Sequence, residues 1–396
     1  VKLGFAPEDE AFRAEVRAFV EANLDPLLRR KLATGMRLEK ADHVRWAQAL
    51  DDKGWLVTNW PVAYGGSGWS PLRKMIFDDE LQLAGAPRGQ NSGVAMLGPV
   101  LIRFGSDAQK AEYLPAIRRA TTWWAQGFSE PQAGSDLASL RTSARLEGDT
   151  FIVNGHKIWT TMGHVSDKIF MLVRTDPDAP KPQMGISFLL IDLDTPGITI
   201  RPIRGVDGGD DLNEVFFDDV RVPAANLVGE INQGWTYAKF LLGNERTGIA
   251  GIPASRQLIT RIRTTAQNRR RNGRPFADDP IFQAALAALE IDLMILDQMA
   301  MRLLTAPDEG ATGAEASLLK IRGSEIRQAL QALLLDVAGP AALAEIEEAM
   351  IDPDYVSTID QQGAAAANYL DSRKLSIFGG ANEIQRNILA RAVLRL

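Results

Sequence analysis

The sequence predicts an α+β protein whose chain runs helical, then strand-rich, then helical again. Three observations carry this: apolar residues recur at steps of three and four from Glu8 to Leu24, short β-branched and aromatic runs follow Trp124, and the helical period returns beyond Gly234. At 396 residues and 43.3 kDa the chain can bury a large core, divided into about two or three domains. The expected division is residues 1–122 for an N-terminal helical domain, 123–232 for a β-domain and 233–396 for a C-terminal helical bundle.

In the first segment, Phe12, Val16, Phe19, Val20 and Leu24 share one face of a helix whose start carries acidic residues, matching the positive end of the helix dipole. Helical patterning continues through AQALDDKGW, MIFDDELQLAG and SDAQKAEYLPAIRRA, with Ser106-Asp107 placed to cap the last. The middle runs TSARLEGDTFIVNGHKIWTT, KIFMLVRT, GISFLLIDL, GITIRPIRG and NEVFFDDVRVP are separated by Gly, Asp, Asn and Pro, and Gly148-Asp149 and Asn154-Gly155 read as turn dipeptides. No helix of useful length interrupts them, which predicts an antiparallel sheet folded as a barrel or sandwich. In the last segment Phe282, Leu286, Leu289, Leu293 and Leu296 are spaced four, three, four and three, the seam of a four-helix bundle, with loops at NGRPFADDP and APDEGATG.

Composition removes several functions. Forty-four Lys and Arg against 50 Asp and Glu give a net charge of −6, and the densest basic spot, Arg269 to Arg271, reads as a solvated helix end, so nucleic acid is not an expected partner. The chain has no cysteine, which excludes disulfides and thiolate metal sites and fits a reducing compartment. The first 24 residues are charged and lack a long apolar run, so neither a signal peptide nor a membrane span is expected, and the expected location is cytoplasmic. His43, His156 and His164 are the only histidines, none four apart from another, and nothing matches HExxH or GxSxG, so no metal site or nucleophile triad is expected. The GGSGW segment at Gly65 to Trp69 lacks a preceding apolar strand and reads as a turn.

Four stretches remain. In QGFSEPQAGSDLASL, Ser129, Gly134, Ser135 and Asp136 form a loop that by composition suits an ordinary capped turn as well as a cradle for a polar ring edge or a pyrophosphate. NGHKIWTTMG carries Trp159 and Thr161 on a strand, and Trp159 alone reads equally as core or as a cofactor wall. In LSIFGGANEIQRNILA the pair Gly379-Gly380 beside a helix start suits close approach of something to the backbone. Glu245 in LLGNERTGIAG, taken by itself, is a helix-surface acid paired with Arg246 or Arg256.

Taken together these stretches resemble the acyl-CoA dehydrogenase family. FSEPQAGSD is similar to its T-E-P-x-A-G-S-D loop, NGHKIWTT to its N-G-x-K-x-W-I-T strand and FGGANEIQRNILA to its G-T-x-E-I-x-R segment, and the resemblance spans essentially the whole chain. It implies FAD lying extended between the β-domain and the C-terminal helices. By that resemblance the backbone at Phe128 and Ser129 binds the flavin pyrimidine edge, and Ser135 lies near the pyrophosphate or the substrate. Trp159 flanks the isoalloxazine, with Thr161 near N5. A neighbouring subunit completes such sites, which makes Arg269 and the region from Gly339 to Glu383, Ala381 included, the cofactor-binding candidates, although RRRNGRPFADD departs from the family's R-x-T-F-G. A shared site implies an oligomer, a homotetramer or heterotetramer.

The implied reaction is α,β-dehydrogenation of an acyl-CoA thioester, with electrons passed to an electron-transferring flavoprotein. Many family members carry the catalytic Glu immediately before G-T-x-E-I, where this chain has Gly379; some relatives place it on an earlier helix before an Arg, as Glu245-Arg246 stand here. The expectation is that Glu245 removes the α-proton, the Gly379 N–H donates to the thioester oxygen, and Arg246 holds the CoA arm or orients the loop. Two alternatives stay open: a flavin monooxygenase or oxidase on the same fold, and one subunit of a heteromeric dehydrogenase. Room at Gly379 points to a branched, alicyclic or steroid-like acyl group.

Overall fold

The computed structural model describes residues 6–34, 36–87, 92–244, 250–305, 313–343 and 364–395. Its first helices are α1 (Pro7–Asn23), α2 (Pro26–Thr34), α3 (Lys40–Asp52), α4 (Pro71–Leu83), α5 (Gly98–Phe104) and α6 (Asp107–Arg118). Helix α1 buries Phe12, Val16 and Val20, the face its periodicity marks, against α4. Aromatic edges fill the space around it: the Trp55 ring lies 5.0 Å from Phe19, 5.6 Å from Phe77 and 5.8 Å from Trp69. Ser106 caps α6 in a capping box with Gln109, as its position predicts. The Gln109 amide then donates to the Ala225 and Leu227 carbonyls, both at 2.9 Å, and so ties α6 to the far end of the β-region.

Strands β1 (Trp124–Gly127), β2 (Ser143–Glu147), β3 (Thr150–Lys157), β4 (Lys168–Arg174), β5 (Ile186–Asp192), β6 (Ile198–Ile203) and β7 (Leu212–Pro223) form one sheet in the order β1-β4-β2-β3-β7-β6, with β5 also paired to β4. The pairs β2–β3, β3–β7, β4–β5 and β6–β7 are antiparallel, as expected. The difference lies at β1, a short strand that composition hides in a loop: it runs parallel to β4, and β2 meets β4 in parallel at Ser143 and Arg174. The chain reverses at the β2–β3 turn and again between β3 and β4, so β4 runs the same way as β1 and β2.

Side chains alternate across this sheet, and both faces are buried at β4 and β5. Phe170, Leu172, Phe188 and Leu190 join the core of the N-terminal helices, while Ile169, Met171, Val173, Leu189 and Ile191 pack with Phe151 and Val153 on the other side. Gly148-Asp149 makes the β2–β3 turn. Asn154-Gly155, expected as a turn, instead lies within β3 at a bulge opposite β7. The Asn154 amide exchanges side-chain and backbone bonds with Asp219, both at 2.9 Å, which holds the bulge in register. Gly155 is needed because a Cβ there would stand 2.4 Å from Thr142 Oγ1 and 2.7 Å from its Cα.

Beyond the sheet come α7 (Gly234–Asn244), α8 (Ile252–Asn268), α9 (Pro280–Thr305), α10 (Gly313–Ala338), α11 (Ala365–Asp371) and α12 (Asn382–Leu389). Helix α7 joins the first core through Tyr237, Ala238 and Leu241. The bundle is built on α8, α9 and α10, with α11 and α12 packed on α10, and Phe282, Leu286, Leu293 and Leu296 form the buried seam. Arg256 in α8 joins the two helical regions, bonding Asp79 of α4 and Asp297 of α9 at 2.8 Å each. The Arg269–Arg271 cluster ends α8 and enters a two-stranded hairpin, Arg270–Arg271 with Arg274–Pro275, that exposes three arginines. Among the described residues no helix is long and apolar enough to cross a membrane.

Candidate active site

The loop after β1 and the end of β3 are locked together by a buried ion pair. Alternation places Lys157 on the same side of β3 as Phe151 and Val153, opposite Val215 of β7, where an unpaired ammonium would carry a large desolvation cost. Its Nζ donates to Glu130 Oε1 at 2.8 Å and to the Phe128 carbonyl at 3.2 Å. Glu130 also accepts from the Arg141 and Thr142 N–H groups at 2.7 and 2.9 Å and from the Gln132 amide at 2.8 Å. Burial alone would raise the Glu130 pKa, but the Lys157 charge and these donors outweigh it and hold the carboxyl at about 2. Burial pushes Lys157 down to about 8, with Glu130 opposing, so both groups are charged at neutral pH.

This pair shapes what the loop offers. The Ile158 N–H donates to the Ser129 carbonyl at 3.0 Å, bringing Phe128 and Ser129 beside Trp159. Among the described residues, the N–H groups of Ser129, Gly134, Ser135 and Asp136 donate to no protein acceptor, and Ser135 is exposed. Phe128 is buried, and its carbonyl is taken by Lys157.

Directly after β3 the chain turns sharply. Trp159 and Met162 adopt left-handed φ values of 61° and 56°, uncommon for side chains of their size, and the Trp159 side chain stays 54% exposed. The turn is held by Asn213, which is fully buried: its amide donates to the Thr160 carbonyl at 3.0 Å, and its own carbonyl accepts from the Thr160 N–H at 3.0 Å. Thr160 Oγ1 is buried with no partner among the described residues, whereas Thr161 is exposed. The Met162 N–H bonds the Asp211 carbonyl at 2.6 Å. The Asp211 carboxyl, its pKa raised by burial, sits within electrostatic reach of Arg37, Lys374 and Asp371.

On the C-terminal side the structure pairs two more expected residues. Gly339, at φ 71°, follows α10, and a Cβ added there would lie 2.8 Å from Arg269 Nη2. Gly379 and Gly380 take φ values of 62° and 82° and are exposed, and among the described residues their N–H groups donate to nothing. Ala381 precedes α12, and Glu383 in its first turn is exposed beside Arg386. Glu245 and Arg246 lie outside the described residues.

Comparison with known proteins decides the family. Residues 6–121, 125–220 and 232–394 match the family descriptions acyl-CoA dehydrogenase N-terminal, middle and C-terminal domain respectively. The chain belongs to the acyl-CoA dehydrogenase family. It is 36% identical over 392 residues to the acyl-CoA dehydrogenase IpdE1 of Mycobacterium tuberculosis, covering 98% of this chain and 97% of that one. Among solved structures it is similar to the ChsE4-ChsE5 complex of Mycobacterium tuberculosis, with a TM-score of 0.83 and 30% identity across 100% of this chain and 99% of that one. A structure described as the Tcur3481-Tcur3483 steroid ACAD gives a TM-score of 0.86 at 30% identity, covering 100% and 99%.

For this family member, sequence reading named the loop and strand residues that face outward but missed the groups that hold them. Glu130, Lys157 and Asn213 make no outward surface. Lys157 alone left a signal, a cation on the parity of Phe151 and Val153 that had to find a partner. Asn213 left none, because nothing in NEVFFDDV marks which turn it grips.

Proposed function

We propose that this oxidoreductase is an FAD-dependent acyl-CoA dehydrogenase that forms a trans-2-enoyl thioester from a bulky acyl-CoA and delivers the electrons to an electron-transferring flavoprotein. The observation that carries it is one edge of the β-region, where the N–H groups of Ser129 and Gly134 to Asp136, unpaired among the described residues, stand beside an exposed Trp159 ring on a buried ion-pair clamp. Such an edge suits a flat, polar-rimmed ring with a phosphate arm: aromatic wall on one side, backbone donors for ring carbonyls and phosphate on the other. The exposed Thr161 adds a further hydrogen-bonding group there. When bound, FAD supplies the acceptor for the β-hydride.

The chain's own groups handle the proton and the developing charge. Glu245 takes the α-proton onto its carboxylate, and the β-hydrogen leaves with its electron pair, so the Cα–Cβ bond becomes double. Charge developing on the thioester oxygen is met by the Gly379 N–H, which donates to no acceptor among the described residues. Arg246 holds the CoA arm, and Ser135 faces the substrate or the pyrophosphate. Arg269, Gly339, Ala381 and Glu383 complete the cofactor site of a neighbouring subunit. The Arg269–Gly339 contact supports their acting together. With no side chain at Gly379, the acyl end has room for a branched or ring-bearing group, in keeping with the neighbour described as a steroid ACAD.

A second reading has specific support: the chain acts as one subunit of a heterotetramer. Two structural neighbours are described by paired names, and Ala381 replaces the family's usual Thr. The test is an anaerobic titration of the flavin-loaded protein with straight, branched and steroid-like acyl-CoAs, following flavin absorbance, for wild type and Glu245→Gln. Bleaching by bulky substrates in wild type alone supports both substrate class and base. Full bleaching by Glu245→Gln removes Glu245 from the role, and a flavin that binds only with a second copurifying chain favours the heteromer.

A further inference from the structure

A buried ammonium that the proposed chemistry does not use stands behind the glycine turn. Lys320 lies in the third turn of α10, 2% exposed, and its Nζ donates to Asn382 Oδ1 at 2.8 Å. Asn382 opens α12 and is itself buried; its amide donates to Ser324 Oγ at 3.0 Å, and the Ser324 hydroxyl donates to the Ile321 carbonyl at 2.8 Å. The only carboxylate acting on Lys320 among the described residues is Glu383, and burial lowers the lysine's pKa. A lysine buried against a neutral amide is a poor stabiliser, since desolvation of the charge is not offset by a full counter-charge. Its benefit must lie in fixing what it touches.

What it touches is one residue removed from the turn. Gly379 and Gly380 are both left-handed, a conformation that glycine enters freely and leaves as freely, so the pair does not hold its own shape. The turn's local ties are weak: the Gln385 side chain reaches the Gly379 and Gly380 carbonyls at only 3.4 and 3.5 Å. A charge-assisted bond at 2.8 Å to the residue that begins the next helix is the nearest firm tie to this turn; the Arg386–Glu325 ion pair at 2.9 Å holds the same helix to α10 one turn further on. An N–H that must meet developing charge loses most of its value if displaced by an ångström.

We propose that Lys320 is a positioning residue for catalysis: through Asn382 it anchors the Gly379-Gly380 turn to α10 and so aims the Gly379 N–H at the thioester oxygen. This rests on the dehydrogenation reading above. The role separates into two measurable parts, where the turn sits and how fast the enzyme turns over.

The test compares wild type with Lys320→Met, which keeps an unbranched apolar stem one atom shorter and removes the charge, and with Asn382→Ala, which removes the anchor from the other side if the first variant does not fold. Both should lower kcat about 10- to 100-fold with KM changed by less than about threefold, because the donor acts on charge that appears only in the transition state. The double variant should be no slower than the worse single, as for one shared interaction. Independently of activity, hydrogen exchange at the Gln385 N–H, bonded to the Ala381 carbonyl at 3.0 Å, should quicken in both. A wild type that turns over acyl-CoA alongside variants of unchanged kcat, or variants that lose only melting temperature, would overturn the inference. A wild type inactive on every acyl-CoA refutes the dehydrogenation reading instead, and unchanged Gln385 exchange then removes the anchor as well.

Discussion

Lys157 Nζ stands 2.8 Å from Glu130 Oε1 with no part of the lysine reaching solvent, joining the end of a strand to the loop that precedes the sheet's second strand. Four donors converge on Glu130, so its lone pairs are satisfied and the charge is shared between ammonium and backbone. The pair is a hinge pin between the Ser129–Asp136 loop and the Trp159 turn, and it fixes their spacing before any ligand arrives.

Removing one member should therefore cost more than removing both. Lys157→Met leaves a buried carboxylate without its cation and is expected to destabilise the fold by about 3–5 kcal/mol, while Glu130→Gln with Lys157→Met restores part of the loss. Urea unfolding of the two single variants and the double variant measures the coupling. A double variant as unstable as the sum of the singles would deny the pair this role.

The same pair sets an acid limb. Glu130 titrates at about 2 when folded against 4.5 ordinarily, so between those values the unfolded chain binds the extra proton. The contribution is complete above pH 4.5 and is lost as the pH falls towards 2. Stability measured by denaturant midpoint across that window should fall less steeply in Glu130→Gln than in wild type, and identical slopes would place the acid sensitivity elsewhere.

Much of this fold can be read where a local rule has no competitor. The face of α1 through Phe12, Val16 and Val20, the Ser106 cap and the Phe282 to Leu296 seam each follow from spacing within one element. Asn154-Gly155 failed as a turn because its meaning is tertiary: Asn154 bonds Asp219 across the sheet, and Gly155 makes way for Thr142. Strand β1 escaped because four residues carry no period, and its parallel partner lies some forty residues onward in β4. At the site, outward residues such as Trp159 and Ser135 were visible through motif resemblance, whereas Asn213 and Lys320 act through contacts 53 and 62 residues distant, which no local pattern encodes.

Asn213 carries the next prediction. Its amide satisfies the Thr160 carbonyl inside a turn where Trp159 already holds an unfavourable φ of 61°. Asn213→Leu leaves that buried carbonyl with only the long bond from the Gly163 N–H at 3.4 Å, a cost of about 1 kcal/mol, and the stored backbone strain then relaxes the Trp159 ring away from its exposed position. Weaker FAD binding by the apoprotein together with a changed tryptophan emission is the expected result. FAD affinity equal to wild type would mean that the turn holds without its clamp.

Gly379 offers the sharpest test of where the base sits. If Glu245 and the residue before the G-A-N-E-I segment serve as alternative seats for one carboxylate, both must reach the same α-proton from different walls of the pocket. Glu245→Gln alone should cost about 100-fold or more in turnover, the usual loss when a positioned base is removed. Glu245→Gln with Gly379→Glu returns a carboxylate to the commoner seat, at a backbone cost of about 1–2 kcal/mol because φ is 62° there. The new side chain also takes up the room that the proposed bulky acyl group needs. The double variant should regain measurable dehydrogenation of short straight-chain acyl-CoAs and lose the bulky ones altogether, read by anaerobic flavin bleaching with each substrate class. Recovery on bulky acyl groups would show that Gly379 does not set the room for them, and no recovery on either class, with flavin bound, would show that the two seats do not converge on one proton.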